Sequence, residues 1–357
     1  MSDIARMAAS LGIDFNAIGP EIALLVTASV MLLVDVFFKR DRAGQQQVIG
    51  IVGLLVAGWL AWSTNAGQAY TAFQDSVAVD SFSRLIKVVL CGATLITFLL
   101  SAGYAARREV ESSEYFALMI LATLGMMLMA SGTNLITIFL GLEISSISQY
   151  ILAGMRHQES RSVEASLKYF ILGAFATGFL LYGIALLYGA TGSINLKEIA
   201  FVARTAEESK LMLMGGCALI LVGLGFKVSS VPFHMWTPDV YDGAPTSVTA
   251  FMAAGSKVAG FEALARILFV GFEPLHSGWA QLVFMGAALT MTLGNVAALV
   301  QTRVKRMLAY SAIAHAGYLM VALVPGTELS GVGLIFYLVA YSLTNLGAFA
   351  VVALLKN

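Results

Sequence analysis

The sequence predicts an all-α fold, a polytopic transmembrane helix bundle, on two observations: its composition and the recurrence of long apolar runs. Of 357 residues, 59% are hydrophobic and 12% are charged, and the mean hydropathy is +0.83, whereas soluble domains carry about 25% charged residues. A helix needs about 20 mainly apolar residues to cross roughly 30 Å of hydrocarbon. Runs of that kind fill the chain and predict about eleven spans, at 18–38, 48–64, 83–104, 114–131, 135–154, 166–189, 211–231, 246–270, 279–300, 307–324 and 331–355.

Each element follows from its local sequence. The first apolar run is too long and wrongly flanked for a cleaved signal, so it is expected to remain as helix 1. Residues 66–82, with short alternating stretches around Gln74 and Asp75, predict an extramembrane hairpin. Residues 193–209 predict a short interfacial amphipathic helix with Ile194, Leu196, Ile199, Phe201 and Val202 as its apolar positions. In the seventh span, Pro232, Pro238 and Pro245 follow Lys227 and predict a broken helix. A proline removes a backbone hydrogen bond, and such interruptions survive in membranes where protein or water satisfies the freed groups.

Lys and Arg gather in alternate connections: Lys39, Arg40 and Arg42, then Arg107 and Arg108, then Arg156 and Arg161, and finally Arg303, Lys305 and Arg306. Short cytoplasmic loops are enriched in these residues, so the N-terminus is expected on the periplasmic side. The opposite side carries Arg6 and the group Lys197, Arg204 and Lys210. Zero net charge without a basic run excludes a nucleic-acid surface. Cys91 and Cys217 lie alone in apolar runs and are expected to pack rather than ligate or cross-link. No phosphate-cradling glycine loop, cysteine cluster or histidine pair at metal or haem spacing occurs, so no redox centre or cofactor is expected in this chain.

Three ionisable residues fall inside apolar spans: Glu143, Lys227 and Lys257. A charge at the bilayer centre costs at least about 2.5 to 3.5 kcal/mol, and such residues mark ion or proton paths or structural pairs. Glu143 lies eight residues after Leu135, roughly 12 Å along a helix, and Ser145, Ser146, Ser148 and Gln149 extend a polar seam behind it. A carboxylate paired only to fix packing is the alternative. Lys257 sits halfway along its span beside Gly255, Ser256 and Gly260, too central for easy snorkelling. Lys227 precedes the break; without one it would lie near an interface. Lys168 is expected to snorkel or hold an anionic headgroup, with a place on an input path as the other reading. His315 and His234 are relay candidates or packing histidines. Glu262 and Arg266, spaced i, i+4, are expected to pair, and Arg303, Lys305 and Arg306 to act as topology determinants.

The segments Pro20-Glu21, GLEISSISQYILAG at 141–154, EASLKYFILGAFATGFLLYGIALLYGATGS at 164–193, GFKVSSVPFHMWTPDVYDGAPTSVTAF at 225–251, VKRMLAYSAIAHAGY at 304–318 and YLVAYSLTNLGAFAVV near the end carry a resemblance over nearly the whole chain. They resemble the subunit N family of proton-pumping NADH:quinone oxidoreductase, respiratory complex I, which is similar to Mrp-type cation/proton antiporter subunits. The resemblance implies an antiporter-like inverted repeat in which helices 4 to 8 form the first half and helices 9 to 13 the second. It divides the chain into 1–113 (helices 1 to 3), 114–270 (the first repeat) and 271–357 (the start of the second).

It further implies that Glu143, Lys227 and Lys257 are the relay residues of helix 5, broken helix 7 and helix 8. Partner subunits would hold FMN, iron–sulfur clusters and quinone. Other membrane-arm subunits and lipids would surround the chain in a bacterial plasma membrane. Family members carry further helices, so the second repeat is expected to be incomplete and the chain a fragment, with a naturally short protein as the alternative. An Mrp-type antiporter subunit is the second functional reading, and a non-transporting assembly protein the third.

Overall fold

The computed structural model describes residues 14–38, 43–64, 69–106, 112–205 and 209–355. The topology residues Arg6, Lys39, Arg40, Arg42, Arg107 and Arg108 lie outside the described residues. The chain forms two compact units, Met1–Gln149 and Tyr150–Asn357.

In the first unit, α1 (Gly19–Phe38), α2 (Ala43–Ser63), α3 (Ser81–Ala106) and α4 (Ser112–Ser131) are followed by α5 (Leu135–Ala153), most of which belongs to this unit. Helix α1 packs on α2 and α4, and α3 packs on both of the latter. The expected hairpin is present as β1 (Tyr70–Ala72) and β2 (Val77–Val79), antiparallel with Tyr70 opposite Val79. Its turn places Phe73, Gln74 and Asp75 at φ 54°, 52° and 59°. Thr133 anchors that turn by donating from Oγ1 to the Asp75 carbonyl at 2.6 Å.

Helices α4 and α5 cross backbone to backbone. A Cβ added to Gly125 would lie 2.5 Å from the Ser145 nitrogen, and one added to Gly141 2.5 Å from the Met129 nitrogen. In hydrocarbon there is little hydrophobic drive between helices, so close approach through small residues supplies the contact energy.

The second unit contains α6 (Ser160–Thr191), the short α7 (Leu196–Ala203), α8 (Lys210–Val228) and α9 (Trp236–Gly243). Helix α6 ends at Gly192, whose φ of 72° suits glycine and whose N–H caps the Tyr188 carbonyl. Asn195 caps α7 by accepting from the Lys197 N–H. In α7, Leu196 and Ile199 are buried against the protein, whereas Phe201 is 75% exposed. Residues 246–271 form one rod of four segments: α10 (Thr246–Phe251), a π-helical turn Met252–Ser256, α11 (Lys257–Arg266) and a second π-helical turn Ile267–Gly271. After a 3₁₀ turn at Glu273–Leu275 come α12 (His276–Leu299), α13 (Val304–Leu323) and α14 (Glu328–Leu355).

Among the described residues, nine helices are long and apolar enough to cross a membrane, and all nine coincide with predicted spans. The other two predicted spans are also helical. The rod 246–271 is divided by its π turns, and α13 begins with Lys305 and Arg306, which lower its hydropathy. The expected break in the seventh span is observed as residues 229–235, between α8 and α9.

Because a side chain at position 125 would meet backbone rather than a movable rotamer, Gly125→Leu is expected to destabilise the first unit by at least about 1–3 kcal/mol. Thermal unfolding of the detergent-solubilised protein checks this; an unchanged midpoint would show that α4 and α5 do not need this approach.

Candidate functional site

The break is built from groups that replace the lost helical hydrogen bonds. Ser229 adopts the left-handed conformation at φ 66° and returns its N–H to the Phe226 carbonyl, while the Ser230 N–H bonds the Gly225 carbonyl. The Val231 N–H reaches Thr290 Oγ1 on α12 at 2.9 Å. Trp236 Nε1 donates back across the gap to the Phe226 carbonyl at 2.9 Å, and Thr237 Oγ1 donates to Ser229 Oγ at 2.8 Å. The Val231–Pro232 bond is cis. The Trp236 ring stacks on Tyr169 of α6 at 4.3 Å between centroids, which fixes α9 against α6. Half-buried His234 lies in this gap, and its carbonyl accepts from the Thr237 N–H at 3.0 Å.

Lys227 occupies the last turn of α8, directly before the break, and is 3% exposed. Gly260 of α11 admits its stem: a Cβ there would lie 3.5 Å from Lys227 Cγ and 3.0 Å from Val228 Cγ1. One turn earlier on the same helix is Lys257, 1% exposed. Its Nζ donates to the carbonyl of Ala312 on α13 and lies 5.8 Å from the centroid of the Tyr341 ring. A cation over an aromatic face is favoured, more strongly when desolvated.

Ala312 is one helical turn from His315, whose ring is 5.2 Å from the same Tyr341 ring. His315 Nδ1 and Tyr337 Oη are hydrogen-bonded at 2.7 Å. The fold thus gathers Lys227, Lys257 and His315 around α11, with Tyr337 and Tyr341 of α14 beside them. Neither tyrosine was legible as a functional residue in the sequence; both are spaced i, i+4 on one helix, and that spacing was the available signal.

Glu143 is half-buried on α5, in the first unit. The expected polar seam is real within that unit: Ser145, Ser146, Ser148 and Gln149 are buried, and Gln149 Nε2 donates to Ser145 Oγ at 2.8 Å. Lys168 makes two ion pairs. Its amine sits between Glu164 at 2.7 Å and Asp239 at 2.8 Å, with the side chain 43% exposed.

Asp239 and Asp242 of α9 were also missed, although they lie at i, i+3 between Pro238 and Pro245. They receive Arg306 at 2.7 Å and Arg303 at 2.6 Å, while Lys305 donates to the Asp242 and Ala244 carbonyls at 3.0 and 2.7 Å. The basic group at the start of α13 therefore clamps the second half of the broken helix, in addition to any part in setting topology. Glu262 and Arg266 pair at 3.0 Å, as their spacing predicts. Cys91 and Cys217 are buried free thiols. Among the described residues, no group of three or more His, Cys, Asp or Glu side chains is arranged to hold a metal ion.

A broken helix beside a buried lysine, and a second buried lysine on a π-interrupted rod, define a polytopic membrane protein of the antiporter-like class. The family model described as NADH:quinone oxidoreductase/Mrp antiporter, TM matches residues 132–357. NADH-quinone oxidoreductase subunit N of Trichlorobacter lovleyi is 46% identical over 343 residues, covering 96% of this chain and 70% of the relative. Subunit N 1 of Solibacter usitatus is 44% identical over 341 residues, covering 95% and 69%.

Among solved structures, respiratory complex I from Thermus thermophilus with bound aureothin matches with TM-score 0.78 and 36% identity, over 94% of this chain and 70% of that one. The Mrp complex from Dietzia sp. shares the fold at TM-score 0.75 and 20% identity, over 94% of this chain and 64% of that one. The chain belongs to the NADH-quinone oxidoreductase subunit N family, within the wider NADH:quinone oxidoreductase/Mrp antiporter group.

Lys305 is 8% exposed and holds two backbone carbonyls, whereas Arg303 makes a half-exposed ion pair. Lys305→Met is expected to destabilise by about 1–3 kcal/mol, because it leaves buried acceptors unmet. Arg303→Met is expected to change stability by less than about 1 kcal/mol. Thermal unfolding of both variants checks the order, and equal effects would show that the clamp depends on charge rather than on the buried carbonyl contacts.

Proposed function

We propose that the chain is a membrane-arm subunit of a proton-pumping NADH:quinone oxidoreductase and carries protons along a row of buried ionisable side chains. Electron transfer from NADH to quinone, with its FMN and iron–sulfur centres, takes place in partner subunits. The observation that carries this reading is Lys257. It is a 1% exposed lysine within a predicted span, held by a backbone carbonyl and an aromatic face rather than by a carboxylate. A structural lysine in lipid is expected to be neutralised by a partner acid; one hydrogen-bonded to a neutral carbonyl retains the ability to gain and lose its proton.

In this reading Glu143, Lys227 and Lys257 are relay residues, and the proton moves from Lys227 towards Lys257; Gly260, on the same helix α11 as Lys257, lets that helix approach the Lys227 stem. From Lys257 it passes to His315, whose bond to Tyr337 gives the next hydrogen-bonded step. Lys168 and His234 serve the approach to Lys227. An ion pair joins Lys168 to Asp239 of α9 at 2.8 Å. Carrying one charge against about 100 mV requires about 2.3 kcal/mol, which a change of about two units in proton affinity supplies at about 1.36 kcal/mol per unit.

The subunit is placed in a bacterial plasma membrane with a periplasmic N-terminus, among other antiporter-like subunits and lipid. The second reading is a subunit of an Mrp-type cation/proton antiporter, supported by the shared fold. It would use the same residues without a redox enzyme. Co-purification with flavin and iron–sulfur subunits favours the first reading; sodium-dependent proton exchange in their absence favours the second.

The test is proton pumping by the assembled complex in sealed vesicles, comparing wild type with Lys257→Ala at equal assembly while NADH oxidation is followed. Pumping and coupled oxidation are both expected to fall at least about tenfold, an activation cost of about 1.4 kcal/mol or more. Unchanged pumping would remove Lys257 from the relay and make its role structural.

A further inference from the structure

Buried Tyr341 of α14 faces two members of the relay at once. Lys257 Nζ lies 5.8 Å from the centroid of its ring, and the centroid of the His315 ring lies 5.2 Å from it at an interplanar angle of 48°. The spacing along α13 explains how one ring reaches both. Ala312, whose carbonyl accepts from Lys257, precedes His315 by one helical turn, and three residues of helix are about 4.5 Å. The ammonium and the imidazole are thus brought to neighbouring positions beside the same aromatic side chain.

The ring makes these contacts, and the hydroxyl makes none. Tyr341 Oη is enclosed and has no hydrogen-bond partner. The amide of Asn345, one turn further along α14, donates to the Tyr341 carbonyl at 2.9 Å. His315 has two more aromatic neighbours, Tyr318 at 5.5 Å and Tyr337 at 5.9 Å between ring centroids. Tyr337 holds the imidazole through its hydroxyl. Among the described residues, Tyr341 is the ring of these three that also faces Lys257.

An aromatic face attracts a cation, most strongly where water is absent. We propose that Tyr341 is a positioning residue of the relay, whose ring stabilises the travelling positive charge on Lys257 before a transfer and on His315 after it. The transfer breaks one N–H bond of the Lys257 ammonium and forms one on the His315 imidazole. It leaves a neutral amine and an imidazolium, so the total charge is unchanged, and Tyr341 neither gives nor takes a proton. With an aliphatic side chain in its place, both cations would lose that compensation for their burial, and protons would be harder to bring onto either residue. The inference rests on the proposed relay through Lys257, and its test separates the failure of one from the failure of the other.

The assembled complex is to be prepared with phenylalanine at position 341, and then with mono-, di- and trifluorinated phenylalanine introduced there by nonsense suppression. Fluorine withdraws electron density from the ring face while nearly keeping its shape, so packing is held constant as the attraction for a cation is removed in steps. Proton pumping in sealed vesicles is compared at equal assembly across this series, Tyr341→Leu and Lys257→Ala. Tyr341→Phe is expected to rescue what Tyr341→Leu loses, and pumping to fall with each added fluorine, to about fivefold or more below phenylalanine for the trifluorinated ring. If Lys257→Ala stops pumping but the fluorinated series is flat or rises, Tyr341 only packs and the proposal is overturned while the relay stands. If Tyr341→Phe is as impaired as Tyr341→Leu, the hydroxyl is what matters, which overturns it as well. If Lys257→Ala pumps like the wild type, the relay reading fails and this proposal falls with it. Should Tyr341→Leu not assemble, the fluorinated series decides alone.

Discussion

Backbone satisfaction in a medium without water is the constraint on which the second unit depends. A transmembrane segment has to bond every N–H and C=O within the protein. The break after α8 would violate this if it were left to solvent. Instead Ser229 turns left-handed, Ser230 and Trp236 return to the last carbonyls of α8, and Thr290 of another helix meets the Val231 N–H. The interruption is thus a built joint. Because Trp236 is tied to both the Phe226 carbonyl and the Tyr169 ring, the position of α9 follows from the joint, and with it the positions of Asp239 and Asp242.

Close helix approach is the second consequence of the same medium. Gly183 of α6 and Gly216 of α8 face each other so tightly that an added Cβ on either would lie about 3 Å from the other's carbonyl oxygen. Gly294 and Gly317 do the same for α12 and α13, with distances of 2.5 Å to the Ala314 nitrogen and 2.7 Å to the Met291 nitrogen. These contacts fix the helices that surround α11, so that Lys257 meets the Ala312 carbonyl and Gly260 meets the Lys227 stem. The two lysines are close in the fold because small residues permit it.

Buried charges in this protein fall into distinct environments. Glu262 with Arg266, and Glu21 with Lys87, are pairs in which each ion offsets the desolvation of the other. Lys257 is held by a neutral carbonyl and a ring face. At the half-exposed end of the second unit, by contrast, Lys168, Arg303 and Arg306 share two aspartates. Pairs exposed to solvent contribute little stability singly, so the value of this group lies in joining α6, α9 and α13 at one place.

The sequence by itself determined where the long apolar helices lie, because length and hydropathy are local properties of a run. It also determined the hairpin at Gln74–Asp75, the break after Lys227, the Glu262–Arg266 pair and the residues that stand out as ionisable in lipid. All of these depend on residues within one turn or one loop of each other. What only the tertiary structure decided are relations between distant segments. Asp239 is 71 positions from Lys168 and 67 from Arg306, and Lys257 is 55 positions from the carbonyl that accepts its hydrogen bond. Tyr337 and Tyr341 acquire meaning only from the His315 and Lys257 side chains they meet. Periodicity reports how a segment meets its medium; which polar groups share a site depends on how helices close on one another, and that is set by packing across the whole unit.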